Sequence, residues 1–306
     1  MIKLKGSKYF TKLDIRWGYN NVRIKEGDEW KAAFITNKGL FEPTVMFFGL
    51  RNSPATFQAM MDDYFRDMID EGWITIYMDD ILIHAKMKKD LEDRTKRVLQ
   101  RLKEHDLYLK PEKCKFERTE VEFLGTIISE NTIRMDPIKL AGIRDWPSPT
   151  TVKQTRSFLG FGNYYRRFIS GFAEIARPLH DLTKKNKIWN WTNECQTAFE
   201  TLKERFSTAP VLSMPDTTKP FILETDASKW AIGATLLQKQ EDGQIHPCGY
   251  LSHALTQTER NWQIYDRELY AIIYALDEWK YLLLGGEHTL TIHCDHKNLT
   301  YYRTPQ

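Results

Sequence analysis

The sequence predicts a mixed fold of helices and strands, and three observations support this. Its 306 residues are enough for two domains with a sizeable core, and 42% hydrophobic and 13% aromatic residues are typical of a globular chain. Stretches that alternate like strands are interspersed with stretches whose apolar residues recur at helical spacing. Turn-rich segments at 146–154 (WPSPTTVKQ) and 213–220 (SMPDTTKP) interrupt the predicted helices and strands. We therefore expect more than one domain. The residues before 146–154 are called the first region below, and those from this segment onward the second region.

The first region begins with a predicted strand over residues 8–16, which ends near Asp14. Residues 53–70 predict a helix, with Ser53 as its N-cap and Pro54 in its first turn. The elements predicted further along this region are a helix over 89–106 and strands over 114–118 and 121–129.

The stretch ITIYMDDILI (74–83) sets two adjacent aspartates, Asp79 and Asp80, inside an apolar run that otherwise resembles strand. Asp is depleted in strands and favours turns. The simplest geometry is therefore a tight hairpin with both carboxylates at its tip. That geometry alone does not indicate a function.

The second region begins with a helix capped by Thr150 or Thr151, and this helix carries the aromatic and basic stretch FLGFGNYYRRFI. The pair Asp242-Gly243 indicates a hairpin turn before the strand at 245–252. The other elements predicted here are helices over 193–207 and 258–284 and strands over 221–226, 231–238 and 289–294.

Charge and cysteine content narrow the function classes. The net charge of +3 is weak support for a nucleic-acid partner. Basic clusters are either solvated faces or a polyanion footprint, and they occur at Lys86/Lys88/Lys89, Arg94/Lys96/Arg97, Arg166/Arg167 and Lys184/Lys185/Lys187. The four cysteines have no paired spacing, which indicates neither a disulfide framework nor a zinc site and fits a reducing compartment. No stretch approaches the length of a membrane span, and the N-terminus lacks the apolar core of a signal peptide.

One set of carboxylates could form a metal site in the first region. If the strand that ends at Asp14 neighbours the hairpin strand, Asp14 would face Asp79, with Asp80 alongside. Clustered carboxylates repel one another unless cations neutralise them, and two divalent metals suit in-line attack at a phosphate. The alternative is a solvated acidic turn and an unrelated aspartate.

A second set lies in the second region. Asp226 and Asp295 each end a predicted strand, and Glu268 lies inside the long helix. Strand and helix ends can converge on one side of a mixed sheet, where the carboxylates could hold two metals that activate water. The alternative is that they are unrelated, since glutamate is common in helices.

Several motifs occur in the order and spacing of reverse transcriptases: LDIRWGY, FFGLRNSPATFQ, YMDD and KPEKCKFERTEVEFLG. With RSFLGFGNYYRRFI and the later TDAS, DREL and CDHKNL, the sequence closely resembles, nearly end to end, the polyprotein of gypsy-like LTR retrotransposons. The resemblance implies an α+β reverse-transcriptase palm with partial fingers over residues 1–140 and a thumb/connection over 141–215. An incomplete RNase H-like α/β domain would follow over 216–306.

The resemblance implies that Asp14, Asp79 and Asp80 are the polymerase carboxylates, with Asp14 and Asp79 as the direct metal ligands. Tyr19 matches an aromatic residue that excludes ribonucleotides, because a rigid ring beneath the sugar leaves no room for a 2′-hydroxyl; a core aromatic is the alternative. Lys113 is either a proton donor to pyrophosphate or a surface lysine. The other matched positions are Phe48, Gly49 and Gln58 at the nucleotide pocket, and Phe123, Leu124 and Gly125 at the primer grip.

The resemblance also implies that Asp226, Glu268 and Asp295 are RNase H carboxylates, with His296 in a structural role. They would cut the RNA strand of an RNA–DNA hybrid. Between the two sites, a helix with Tyr164, Tyr165, Arg166 and Arg167 would pack against the duplex minor groove, its arginines meeting phosphates. An aromatic core with solvated arginines is the alternative.

We therefore expect an RNA-directed DNA polymerase with two Mg²⁺ per active site, Mn²⁺ being the alternative. Its partners would be an RNA or DNA template with primer, deoxynucleoside triphosphates and RNA–DNA hybrids, without a membrane. It would be intracellular, in a cytoplasmic virus-like particle or in the nucleus.

Relative to the family pattern, the sequence opens just before Asp14 and ends soon after Asp295. We therefore expect the N-terminal fingers and the fourth RNase H carboxylate to be missing. Three hypotheses remain open: a working polymerase with RNase H, a catalytically inert relic that at most binds nucleic acid, and a nuclease only.

Overall fold

A computed structural model of the chain describes residues 2–295, which fall into two compact units. The N-terminal unit comprises Lys3–Leu124 and Ile128–Asn131. The C-terminal unit comprises Gly125–Ile127 and the chain from Thr132 onward. Each unit has its own buried apolar core.

The N-terminal unit is built on a four-stranded antiparallel sheet with the order β4-β5-β1-β6. The predicted strand at 8–16 is β1, and the hairpin at 74–83 consists of β4 and β5. A separate hairpin of two short exposed strands, β2 and β3, precedes the first helix. The strands are β1 (Tyr9–Asp14), β2 (Phe34–Thr36), β3 (Gly39–Phe41), β4 (Ile74–Tyr77), β5 (Asp80–Ala85) and β6 (Lys115–Arg118).

Three helices complete this unit: α1 (Ser53–Tyr64), α2 (Arg66–Asp70) and α3 (Lys88–Glu104). The prediction of one helix over 53–70 was wrong, because the chain leaves helical geometry at Phe65, whose side chain is fully buried. Ser53 is not the N-cap either. Asn52 takes that position without a side-chain cap, and the Ser53 hydroxyl donates to the carbonyl of Phe47 instead.

The predicted strand at 121–129 is two strands, β7 (Glu120–Phe123) and β8 (Thr126–Ser129), joined by Leu124 and Gly125. Both turn residues have positive φ, +48° and +70°, which is the backbone geometry of the tightest hairpin turns. The leucine at the first turn position gives no sequence signal for this geometry. A short strand, β9 (Thr132–Met135), follows.

The C-terminal unit contains four helices before its large sheet: α4 (Pro137–Arg144), α5 (Val152–Tyr165), α6 (Phe172–Leu182) and α7 (Asn193–Ser207). Thr151 is confirmed as an N-cap, since its hydroxyl accepts a hydrogen bond from the amide of Gln154. The helices α4 and α6 were not predicted. Pro178 inside α6 obscures the helical pattern of a segment whose apolar face is nonetheless buried.

The large sheet of this unit has the order β13-β12-β11-β14, with β14 parallel to β11 and the other pairs antiparallel. Its strands are β11 (Phe221–Ala227), β12 (Ala231–Lys239), β13 (Ile245–Ala254) and β14 (Thr291–Cys294), and β10 (Leu212–Ser213) pairs with β9. The predicted helix at 258–284 is three helices, α8 (Gln257–Arg260), α9 (Ile264–Glu278) and α10 (Lys280–Leu283). Within residues 2–295, no helix is long and apolar enough to cross a membrane.

Candidate active sites

The hairpin tip and the end of β1 bring three predicted carboxylate residues to one end of the N-terminal sheet. Asp14 and Asp80 are direct partners in the β1–β5 register, and Asp79 lies in the two-residue turn after Tyr77. The amide of Ile15 donates to the carbonyl of Asp79 at 2.9 Å, which fixes the turn against β1. In the part of the chain that the structure describes, the three carboxylates do not form a set with all ligand atoms within 4.8 Å of one another.

Asp14 is buried, and its Oδ1 atom accepts no hydrogen bond. The ammonium groups of Lys110 and Lys113 lie 3.4 Å and 3.5 Å from its two carboxylate oxygens. Lys113 is thus beside the carboxylates, although more than half of its side chain is exposed. Lysines therefore supply the positive charge that the acidic cluster requires.

Lys12, two residues before Asp14, has an almost buried side chain with two carboxylate partners. Its ammonium lies 3.1 Å from Asp80 Oδ1 and 3.0 Å from Glu122 Oε2. Burial acts to lower the pKa of Lys12, but the hydrogen bond to Glu122 and the two negative charges outweigh it and raise that pKa. Burial raises the pKa of Asp80, and Lys12 opposes this shift. Sequence reasoning missed both Lys12 and Glu122.

Tyr19 lies near the carboxylates, in a short 3₁₀ turn after β1. Its ring packs edge-on against Phe48 and Phe57, at centroid distances of 4.9 Å and 5.8 Å. Burial raises the pKa of Tyr19, and the charge of Asp79 adds to the effect. Gly18 permits this packing, because a Cβ atom there would lie 3.0 Å from the ring of Phe57. The aromatic ring is thereby held beside the turn of the hairpin.

Gln58, predicted at the nucleotide pocket, uses its amide to hold the hairpin turn. Its Oε1 accepts from the backbone amide of Met78 at 2.7 Å, and its Nε2 donates to the carbonyl of Ile76 at 3.3 Å. Met78 has a φ of +56°, a region that non-glycine residues seldom adopt. Of the other predicted pocket residues, Phe48 is exposed and Gly49 has a φ of +104°.

The predicted primer grip coincides with the turn between β7 and β8. Phe123 is buried, and Leu124 and Gly125 form the turn itself. Within the C-terminal unit, the hydroxyl of Tyr165 donates to the carbonyl of Gly125 at 2.8 Å. A Cβ atom on Gly125 would lie 2.9 Å from that hydroxyl, so the contact requires glycine at this position.

The predicted nucleic-acid residues of α5 occupy different environments. Tyr164 is exposed, whereas Tyr165 is buried and bonded to Gly125. Arg166 follows α5 in a 3₁₀ turn, half-buried. Arg167 lines a cavity of about 250 Å³ together with Trp279, and burial lowers the pKa of its guanidinium. Tyr164 is therefore the most accessible of the four.

The second acidic set lies where β11 and β14 end. The two strands are parallel, with Thr225 opposite Cys294, so Asp226, still within β11, and Asp295, directly after β14, follow the same register pair. Glu268 of α9 is buried, and its ligand atoms, those of Asp295 and the thiol of Cys294 lie within 4.8 Å of one another. Asp226 is outside that close group.

Electrostatics nevertheless link Asp226 to the group. Burial raises the pKa of Glu268, the hydrogen bond from Cys294 opposes the shift, and the charges of Asp295 and Asp226 add to it. The thiol Sγ lies 3.5 Å from Glu268 Oε2. Sequence reasoning missed Cys294, whose only sequence signal was its position next to Asp295. His296 lies outside the described residues.

Both parts of the chain match known families. Residues 1–128 match the family "Reverse transcriptase (RNA-dependent DNA polymerase)", and residues 191–292 match "RNase H-like domain found in reverse transcriptase". Among curated proteins, the chain is 37% identical over 299 residues to the Transposon Tf2-3 and Tf2-7 polyproteins of Schizosaccharomyces pombe (strain 972 / ATCC 24843). The match covers 98% of this chain, which spans about a fifth of the length of these relatives (22%).

Solved structures of foamy viral protease-reverse transcriptase are also similar. A complex with double-stranded DNA superposes with a TM-score of 0.81 at 26% identity, covering 98% of this chain and 62% of the other. A complex with an RNA/DNA hybrid gives 0.80 at 26% identity, covering 97% and 40%. The reverse transcriptase and RNase H-like assignments and the mixed fold are confirmed.

Proposed function

Because this chain belongs to the reverse transcriptases, with an RNase H-like domain of the kind found in LTR retrotransposon polyproteins, we propose that it catalyses RNA-directed DNA synthesis and degrades RNA in RNA–DNA hybrids. The observation that carries the polymerase proposal is that Asp14, Asp79 and Asp80 lie together where β1 ends and the β4–β5 hairpin turns. The substrates would be a primed RNA or DNA template and deoxynucleoside triphosphates.

The residues fit divalent cations. Asp14 Oδ1 is buried and accepts no hydrogen bond, although the Lys110 ammonium lies 3.4 Å away, and carboxylate oxygens are the ligands that Mg²⁺ prefers. Asp14 and Asp79 would hold the ions, with Mg²⁺ as the physiological choice and Mn²⁺ as the substitute. When bound, such ions supply the charge that activates the primer 3′-hydroxyl and stabilises the leaving pyrophosphate.

The chain's own residues would position the reacting groups. The Tyr19 ring, held by Phe48 and Phe57, would lie beneath the sugar and exclude a 2′-hydroxyl. Gln58 would keep the Met78 turn, and hence Asp79, in a fixed place. The exposed ammonium of Lys113, next to Asp14, would meet the pyrophosphate as it leaves.

For the RNase H activity, Glu268 and Asp295 would hold metal, and Asp226, on the adjacent parallel strand, would complete the cage. The supporting observation is that Asp226, near the end of β11, and Asp295, directly after the parallel strand β14, both act by their charge on the buried Glu268. RNA–DNA hybrid is the proposed substrate.

The test measures both activities in one protein preparation. Primer extension on an RNA template with Mg²⁺ and deoxynucleotides is compared for the parent chain, Asp79→Asn and Asp226→Asn, beside cleavage of a labelled RNA–DNA hybrid. We expect Asp79→Asn to abolish extension while it spares cleavage, and Asp226→Asn to do the reverse. Each variant is thus the matched control for the other.

Two other outcomes of this test would favour the two alternative hypotheses, a nuclease only and a catalytically inert chain that binds nucleic acid. Hybrid cleavage without extension by the parent chain would identify a nuclease only. Duplex binding without either reaction would identify a nucleic-acid-binding protein that lacks catalysis, and would overturn the proposal.

A further inference from the structure

The buried lysine of the polymerase site, Lys12, is the feature that the family comparison leaves unexplained. It lies on β1, the strand flanked by β5 and β6, and its side chain is only 11% exposed. Its ammonium reaches Asp80 on β5 at 3.1 Å and Glu122 on β7 at 3.0 Å. One buried cation therefore joins two carboxylates from two other strands.

A buried ammonium keeps its charge only when carboxylates compensate for the lost hydration, and the bridge is therefore unlike an ordinary surface ion pair. Removing the lysine would leave two partly buried carboxylates without their shared counter-ion. The free-energy cost of removing the Lys12 ammonium from water therefore keeps it paired with Asp80.

The lysines at Asp14 are of a different kind. Lys110 and Lys113 approach Asp14 at 3.4 Å and 3.5 Å, and their side chains are 27% and 58% exposed. Such lysines can turn toward water when another cation arrives, because their side chains are more exposed than that of Lys12. A divalent ion can therefore displace them from Asp14, whereas displacing Lys12 from Asp80 would leave a nearly buried ammonium with Glu122 as its one remaining partner among these carboxylates.

We propose that Lys12, held by Glu122, is a positioning residue that fixes Asp80 and withholds it from metal, so that divalent ions bind through Asp14 and Asp79. The inference rests on the proposed polymerase function. The two metal ligands are those that the family resemblance already implies; the structure adds the internal counter-ion that holds Asp80.

The first experiment measures Mn²⁺ binding to the full chain by the loss of the free-ion electron paramagnetic resonance signal, without substrate. An Asp226→Asn background reduces the contribution of the other site. In this background, Asp79→Asn should weaken the Mn²⁺ affinity of the polymerase site by about 10- to 100-fold. Asp80→Asn should change that affinity by no more than about threefold. Equal losses for Asp79→Asn and Asp80→Asn would overturn the inference.

The second experiment measures primer extension as separate kcat and KM values. Lys12→Met should lower kcat by about 10- to 100-fold with little change in the KM for deoxynucleotide, because Asp80 is left unpaired and displaced. In an Asp80→Asn background, the same substitution should have little further effect. An undiminished loss in that background would overturn the proposal that Lys12 acts through Asp80.

Controls separate positioning from folding. Lys8→Met breaks an exposed ion pair with Glu130, 3.1 Å in the same unit, and should change neither readout. If Lys12→Met does not fold, Glu122→Gln weakens the bridge from its other side and should lower kcat in the same direction; an unchanged kcat would count against the inference. A chain that binds Mn²⁺ through Asp79 but does not extend primers would refute the polymerase function while the metal assignment stands.

Discussion

The side chain of Gln58 supports the hairpin turn of the polymerase site through hydrogen bonds to the backbone. Its amide satisfies the Met78 amide and the Ile76 carbonyl, two backbone groups at the turn that carries Asp79. Unpaired backbone groups in a partly buried turn cost free energy, and Met78 is already in a sparsely populated conformation. Gln58 therefore stabilises a strained turn.

Gln58→Leu should lower kcat for primer extension by about tenfold or more and leave the KM for deoxynucleotide nearly unchanged. The reason is that leucine keeps the packing volume but leaves the turn unsupported. Steady-state kinetics with varied deoxynucleotide provide the measurement, and Gln100→Leu, on an exposed helix face, is the control. A raised KM with unchanged kcat would instead mean that Gln58 binds the nucleotide, as its motif suggests.

His84 gives the N-terminal unit a pH dependence. The imidazole is buried, and Nδ1 lies 2.8 Å from the Ser7 hydroxyl. Burial, with Arg94 and Lys3 adding to it, lowers the pKa of His84 from 6.5 to about 4. The unfolded chain therefore binds a proton between pH 6.5 and 4 that the folded chain does not.

The free energy of unfolding should fall as the pH decreases from 6.5 to 4, with His84 contributing up to about 1.4 kcal/mol per pH unit. Urea unfolding across this range checks the prediction. His84→Asn should flatten the dependence, and His105→Gln, at an exposed histidine, should retain it. Parallel pH profiles for the parent chain and His84→Asn would contradict it.

At the scale of elements, the contact between α5 and Gly125 within the C-terminal unit depends on a missing Cβ. Gly125 has a φ of +70°, and the Tyr165 hydroxyl occupies the space where a side chain would begin. Gly243 offers a matched comparison, since its φ of +79° is similar and nothing lies within 4 Å of its Cβ position. The two glycines separate backbone strain from steric contact.

Gly243→Ala should cost about 1–2 kcal/mol through its left-handed backbone alone. Gly125→Ala should cost at least about 1 kcal/mol more, because the methyl group also displaces the hydrogen-bonded Tyr165 hydroxyl. In a Tyr165→Phe background, that excess should shrink. Free energies of unfolding from urea titration of the single and double variants form a double-mutant cycle that measures this excess. Equal losses of stability for Gly125→Ala and Gly243→Ala would contradict the role of Tyr165.

For the molecule as a whole, the local sequence pattern predicted the helices and strands better than it predicted the tertiary contacts between them. Strand-like patterns located β1, the β4–β5 hairpin and the three long strands of the C-terminal sheet, and cap chemistry limited the N-cap of α5 to Thr150 or Thr151, of which the structure shows Thr151. Short elements such as β2 and β3 were missed, since three residues hold too little periodicity. Long-range pairs were missed for a different reason: nothing near Lys12 in the sequence indicates Glu122, 110 residues away.

The basic clusters are a second case in which the sequence does not show the long-range partners, here the carboxylates that pair with the clustered cations. Several of their members are already neutralised, since Lys88 pairs with Glu117 and Arg97 with Glu71. Lys185 and Lys187 are exposed, and neither has an ion pair within the described part of the chain. Paired cations release fewer counter-ions on binding a polyanion than unpaired ones.

We therefore expect duplex binding by this chain to weaken with salt, and the slope of log affinity against log salt to depend on which lysines are removed. Lys185→Gln with Lys187→Gln should reduce the slope by up to about 2 units, one for each lost phosphate contact. Lys88→Gln with Lys96→Gln, which removes the same charge from paired lysines, should reduce it less. Fluorescence anisotropy of a labelled RNA–DNA hybrid, without metal, measures both slopes. Equal reductions would mean that net charge alone governs binding, and that the pairing within the clusters has no influence on it.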